Sequence, residues 1–199
     1  MVYVLDMSPL EWDRITVPPD SAWQKLVDGV PLQQNDIPVE PRFIGRFKVP
    51  DISIPTQYFI FVSSHGREIL DELAPGCLAY FPMELRVPAS MQPAKNYWFV
   101  EVLSRAQLID WDRSETVPRL VRAPDGRESR ALAGRGIWGA VKFKAITPDL
   151  PPLWREIDVD RPNVNYFQSK WSIFMRDEFW RELDGRFPGQ LSARKIKED

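Results

Sequence analysis

One cysteine, Cys77, and one histidine, His65, are all that the 199 residues contain of either type. A single thiol forms no intramolecular disulfide, so no covalent cross-link supports the fold. A single imidazole excludes zinc fingers and the two-histidine helix of zinc proteases, each of which needs two or more His or Cys ligands. Neither a metal nor a cofactor is expected. Uninterrupted apolar stretches are short, 58–62 and 97–100 being examples, against the roughly 20 residues that a membrane helix requires. The opening residues lack the basic region and apolar core of a secretory signal, so the expected location is the cytoplasm, away from membranes. Excess positive charge is also missing. Against 26 Lys and Arg stand 28 Asp and Glu, a net charge of −2, whereas non-specific nucleic-acid binding needs a cationic surplus to displace counterions.

What is present is enough for a core. Hydrophobic residues make up 44% and aromatics 12%, with eight Trp, which rules out a globally disordered chain. The length fits one domain over 1–199, with an N-terminal lobe at 1–95 and a C-terminal lobe at 96–199 as its internal division. Nineteen prolines are scattered through the chain rather than clustered. Proline fixes φ and lacks an N–H, so it ends elements; many short elements and few long helices are predicted.

Aromatic and β-branched runs predict strands at 2–5, 57–62, 97–103, 107–109 and 137–146, with 153–157 and 171–175 as further candidates. Helices are predicted at 22–28 behind Asp20-Ser21, at 65–73 behind Ser64, and at 178–183 behind Asp177. The fold class is therefore α+β, short helices packed on a largely antiparallel or mixed sheet. Two places echo each other at a constant spacing of 113 residues: Ile60-Phe61 with Ile173-Phe174, Leu70-Asp71 with Leu183-Asp184, and Pro75-Gly76-x-Leu78 with Pro188-Gly189-x-Leu191. Each copy reads strand, short helix, Pro-Gly turn, strand, the glycine reversing the chain through positive φ. The echo points to two similar αβ subunits; duplication and convergent αβ packing account for it equally well.

Three constellations bear on chemistry. Cys77 and His65 could form a nucleophile and base, but Cys77 opens the apolar run Cys77-Leu78-Ala79-Tyr80-Phe81, where cysteine serves as a small hydrophobe. Asp110 and Asp112 flank Trp111 after a strand, and in an extended strand they would share a face, as acid/base catalysis or a hard cation would need. The plainer reading makes them turn residues, with Arg113 as a partner. The glycines of Ala133-Gly134-Arg135-Gly136 precede a predicted strand rather than a helix, so they do not form a phosphate cradle.

Charge is unevenly placed. Residues 1–100 hold 8 basic and 12 acidic side chains, whereas 113–144 alone hold eight basic residues (Arg113, Arg119, Arg122, Arg127, Arg130, Arg135, Lys142 and Lys144) against three acids. Pro124-Asp125-Gly126 marks a hairpin tip within that span. A basic hairpin is either a solvated edge or a surface that steers an acidic partner.

The run Tyr97-Trp98-Phe99-Val100-Glu101-Val102-Leu103 continuing through Gln107-Leu108-Ile109-Asp110-Trp111-Asp112-Arg113-Ser114 resembles the central signature of the bacterial immunity-protein-eleven type family. Leu153-Trp154-Arg155, the following 171–183 segment and Pro188-Gly189-x-Leu191 extend the resemblance, and it spans most of the chain. At Met175-Arg176-Asp177 the chain departs from the small hydroxyl residue that the family tends to place before its last helix. The resemblance implies a non-enzymatic immunity protein that binds and neutralises a cognate toxin of polymorphic or secretion-system type by direct contact. It brings no catalytic residue. Trp and Arg dominate interface energetics, so Trp12, Trp23, Trp138, Arg127, Arg130 and Arg135 are the candidate partner contacts. A secretion-system adaptor or chaperone is the alternative, followed by a small hydrolase using Asp110 and Asp112 or Cys77.

Overall fold

The computed structural model describes residues 1–6, 25, 30–37, 41–45, 48–56, 59–89, 91, 96–122, 128–132, 141–157 and 172–196, with backbone alone at 56, 116–122 and 128–132. Eleven strands and two α-helices are described. The first sheet contains β2 (Ile52–Thr56), β3 (Phe59–Ser63), β4 (Leu78–Met83) and β5 (Tyr97–Val102) in the order β2-β3-β5-β4. The second contains β1 (Val2–Asp6), β6 (Arg105–Ala106), β9 (Leu153–Glu156), β10 (Phe174–Arg176) and β11 (Ser192–Ile196) in the order β11-β1-β10-β9-β6. A hairpin of β7 (Thr116–Arg122) and β8 (Glu128–Leu132) forms a two-stranded sheet of its own. Helix α1 (Ser64–Leu73) follows β3, and α2 (Asp177–Arg186) follows β10. The fold is α+β.

The 113-residue echo is a repeat in three dimensions. Both helices are ten residues long and begin 113 positions apart. Each closes with the same backbone bonds, Ala74 N donating to Leu70 O at 2.9 Å and Phe187 N to Leu183 O at 3.0 Å. Gly76 and Gly189 both take φ +73°, a conformation glycine reaches without Cβ strain. Strand registers match as well. Ser63 and Met83 both lie opposite Tyr97, while their counterparts Arg176 and Ile196 both lie opposite Val2. On the outer side, Ile52 faces Val62 as Leu153 faces Met175. The order β2-β3-β5-β4 is thus repeated as β9-β10-β1-β11. The central strand of the first unit, β5, follows its unit in the chain; that of the second, β1, comes from far ahead of it. The two units are circular permutations of one another.

Alternation along the strands gives each sheet two apolar faces. The faces that carry the helices share one cluster, in which Leu5, Ile52, Val62 and Val100 meet Ile69 and Leu70 of α1 and Phe179 and Leu183 of α2. The opposite face of the first sheet, with Phe59, Phe61 and Phe99, is covered by Leu32, Ile37, Phe43 and Val49. That of the second sheet, with Val2, Val4, Trp154 and Phe174, is covered by Leu108, Ile109 and Val141.

Several expected elements shift. The strand expected at 107–109 lies two residues earlier, at β6, because the amides of Leu108 and Ile109 are taken by a side chain, Glu156, instead of a strand. Within the described part of 137–146, extended pairing reduces to one bridge between Phe143 and Ile109. β2 has no counterpart among the expected strands because Pro55 interrupts its run; it is an edge strand whose register shifts between Ser53 and Thr56, a setting that tolerates proline. Lys25 is helical, and the rest of the helix expected at 22–28 lies outside the described residues. No described helix is long and apolar enough to cross a membrane.

Candidate functional site

The 109–114 stretch forms a turn that fastens the base of the hairpin. Asp110 N donates to Lys142 O at 2.8 Å, and Ser114 N donates to Asp110 O at 2.9 Å. The Ser114 hydroxyl donates to Asp110 O at 2.6 Å and accepts from Lys142 N at 2.9 Å. One small hydroxyl side chain therefore stitches the chain entering the hairpin to the chain that returns 28 residues later. Asp110 closes the turn by accepting from Arg113 N at 3.2 Å, with the Arg113 guanidinium 4.0 Å from its carboxylate. Because Trp111, Asp112 and Arg113 form a turn, Asp110 and Asp112 do not have the shared face of a strand that paired catalysis would use.

Basic residues lie on both segments of this fastening. Arg113, largely exposed, lies in the turn, and Lys142 and Lys144 lie on the returning segment, with Lys144 Nζ donating to Gln107 O at 3.2 Å. Thr116 opens β7 two residues after Ser114. β7 and β8 then pair from Thr116↔Leu132 to Arg122↔Glu128, with Arg130 opposite Pro118. The expected hairpin is present, and its tip at 123–127 lies outside the described residues. Of the six candidate contacts, Arg130 is placed on β8 by its backbone. Trp12, Trp23, Arg127, Arg135 and Trp138 lie outside the described residues.

Glu156 supports the root from beneath. It is 5% exposed and accepts from Leu108 N, Ile109 N and the Trp154 indole, at 3.0, 3.2 and 2.8 Å. Burial pushes its carboxyl up to about 7, while those donors and Lys144 pull it the other way. Nearer the junction of the two sheets, the fully buried Glu101 pairs with Arg105 at 2.7 Å, and Arg105 also donates to Val102 O. Arg155, wholly buried, lies near enough to Glu101 for its charge to be felt, yet burial still pulls its guanidinium down to about 10.

His65 lies in the first turn of α1, whereas Cys77 lies beyond its far end, after the Pro75-Gly76 turn; the ten-residue helix between them is about 15 Å long at 1.5 Å per residue. The thiol packs against the central cluster and the imidazole lies edge-on to Phe187. Among the described residues no group of three or more His, Cys, Asp or Glu is assembled to hold a metal.

A second pair of surfaces emerges from the repeat. Arg67 on α1 covers the rings of Tyr80 and Trp98, at 4.7 and 5.2 Å from their centroids. At the equivalent place in the other unit, Trp180 on α2 stacks on Tyr3 at 5.9 Å. These half-buried aromatic flanks were absent from the candidate contacts because no local motif marks them. Aligning the two copies shows Arg67 and Trp180 at matching helix positions. Compared with models of known protein families and with curated proteins, the chain matches none.

Proposed function

We propose that this protein is a cytoplasmic immunity protein that neutralises a cognate bacterial toxin by direct contact, with the basic hairpin and its root as the contact surface. The observation that supports this reading is the root itself. A turn at 109–114 fastens the base of a two-stranded sheet of its own, and Arg113 in that turn and Lys142 and Lys144 on the segment bound to it add basic residues to that base. Such an arrangement gives a rigidly held cationic surface, suited to steering and orienting an acidic face of a partner, and arginine is among the residue types that most often dominate binding energy. The resemblance to the immunity-protein-eleven type family supplies the class of partner.

The test is co-expression with the C-terminal domain encoded beside this gene, scoring growth and co-elution. Restored growth with a stable complex is the expected result. A complex without restored growth would make the protein an adaptor or chaperone. Neither, with the neighbour verified as toxic, overturns the pairing. Loss of turnover, on a substrate that the protein is shown to process, from Asp110→Asn with Asp112→Asn or from Cys77→Ala would instead favour the hydrolase.

A further inference from the structure

The two larger sheets end in four described edge strands, and three of them are guarded against pairing with another chain. β2 carries Pro55 and a shift of register, and the Gln190 side chain accepts from its Ile52 amide at 3.2 Å. β6 is two residues long, and β11 carries Arg194 and Lys195. Short length, proline, irregularity and charge each discourage edge pairing. The fourth edge, β4, runs beside β5 through six residue pairs without a break. It is half-buried apart from the exposed Pro82, and no charged residue lies between Cys77 and Met83.

The register fixes which backbone groups face outward. Leu103 N donates to Cys77 O at 2.8 Å, so Cys77, Ala79, Phe81 and Met83 turn their polar backbone groups toward β5, and Leu78, Tyr80 and Pro82 turn theirs away. Pro82 has no N–H, and its carbonyl accepts from Gln34 Nε2 at 3.1 Å. Four residues on, Arg86 N donates to Pro41 O at 3.0 Å and Arg86 O accepts from Phe43 N at 2.9 Å. The open part of the edge is therefore Leu78 and Tyr80, whose outward N–H and C=O groups have no partner among the described residues.

We propose that this edge pairs antiparallel with the same edge of a second copy, about a two-fold axis at Ala79, joining two four-stranded sheets into one of eight. That centre satisfies both open residues, because Leu78 exchanges hydrogen bonds with Tyr80 of the second copy, and Tyr80 with its Leu78. A centre at Tyr80 would set Leu78 against Pro82, which lacks the donor and has its carbonyl occupied. A centre at Leu78 would set Tyr80 against Gly76, which belongs to the turn at φ +73°. At the axis the two Ala79 form the close pair of an antiparallel ladder, about 4.5 Å between Cα atoms, and alanine is the smallest side chain of the strand. Beside it Cys77 meets Phe81, apolar against apolar. Charge agrees with a copy as the occupant. The strand itself is uncharged, and Arg67, which α1 holds over the Tyr80 ring, has Asp71 at 3.6 Å, so two copies bring balanced charge to the axis.

Sedimentation and amide hydrogen exchange on the full chain over a range of concentration test the pairing. The mass should rise from one chain to two, and the Leu78 and Tyr80 amides should gain protection in step, while those of Ala79 and Phe81, bound to β5, stay protected throughout. Ala79→Lys and Ala79→Asp each set like charges together at the axis, and each should weaken self-association about tenfold or more; mixed in equal amounts, the two should restore it. A single-chain mass up to millimolar concentration overturns the proposal. So does a dimer whose Leu78 and Tyr80 amides exchange as in the single chain, or protection of those amides only on adding a toxin domain, which would make the toxin the occupant. Undiminished association in both variants, or a mixture as weak as either, overturns the axis. Should the variants not fold, the exchange of the unaltered chain decides.

Discussion

Ser63 and Arg176 occupy the same place in the two units, one residue ahead of a ten-residue helix, and Ser63 alone caps its helix through its side chain. The Ser63 hydroxyl oxygen accepts from Gly66 N at 3.2 Å and donates to Asp51 at 2.7 Å, whereas Arg176 offers α2 no side-chain cap. Instead α2 begins with Asp177 and Glu178, whose charges suit the positive end of the helix dipole. Ser63→Ala should lower stability by about 1–2 kcal/mol, a cap plus a hydrogen bond. Arg176→Ala, which loses a bond to Pro148 O and no cap, should cost under about 1 kcal/mol. Urea midpoints of the two variants measure the contrast.

Gly66 and Gly185 invite the same substitution with opposite results. Within a helix alanine is favoured over glycine, by about 1 kcal/mol in the interior and by less near the ends, where Gly66 and Gly185 lie. A Cβ on Gly185 meets nothing within 4 Å, but one on Gly66 would lie 2.2 Å from Asp51 O. The clash is with backbone that also accepts the Ser63 amide, so α1 would have to withdraw from β2. Gly185→Ala should raise the melting temperature; Gly66→Ala should lower stability by about 1–3 kcal/mol, the range for overpacking.

Glu101 and Arg155 form a test of buried charge. Glu101→Leu removes the one carboxylate that faces both Arg105, its partner at 2.7 Å, and the wholly buried Arg155. Breaking such a cluster on one side costs about 3–5 kcal/mol, because the remaining charges are left without compensation. Replacing Glu101, Arg105 and Arg155 together by apolar residues of similar volume should cost much less than Glu101→Leu alone. Equal losses in thermal unfolding would show that the charges contribute through packing only.

Tyr97 sets an alkaline limit. Its hydroxyl donates to Pro50 O at 2.6 Å, and burial, then the nearby Asp51 charge, hold its phenol well above the usual value of 10.0. The folded protein keeps the proton where the unfolded chain begins to lose it. Stability from this source is therefore complete below pH 10 and declines as pH rises above it. Tyr97→Phe should cost about 1 kcal/mol at neutral pH from the lost hydrogen bond and flatten this part of the alkaline decline. An unchanged slope above pH 10 would assign the decline to other groups.

The repeat was readable in the sequence because its markers are local. Pro-Gly after a helix needs no partner to declare a turn, and both glycines take the positive φ that the motif anticipates. Pro124-Asp125-Gly126 marked a hairpin tip in the same local way, but neither flanking strand, β7 or β8, was among the expected ones. What stayed hidden depends on distant residues. Nothing near Leu108 and Ile109 announces that a carboxylate 47 positions away will replace a strand, and Pro55 conceals an edge strand that only its neighbour β3 reveals. Asp110 and Asp112 misled for a related reason: the reading of a shared face assumed a strand, and the hydroxyl of Ser114 folds that stretch into a turn. Tyr3 and Trp180, 177 residues apart in the chain, become stacking partners only once β1 is seen inside the second unit.

That placement of β1 sets an order of events during synthesis. Among the described strands Val2–Asp6 is made first, and it pairs with residues 174–176 and 192–196. The first unit, whose four strands and helix fall between 52 and 102, has all its partners early and can condense while translation continues. The second unit must hold a strand with four apolar residues, Val2–Leu5, unpaired until residues 174–196 have been made. Pairings of such long sequence separation are the slow step of folding and the interval of greatest exposure to aggregation. Of the described strands, the one made first has the partners that are made last.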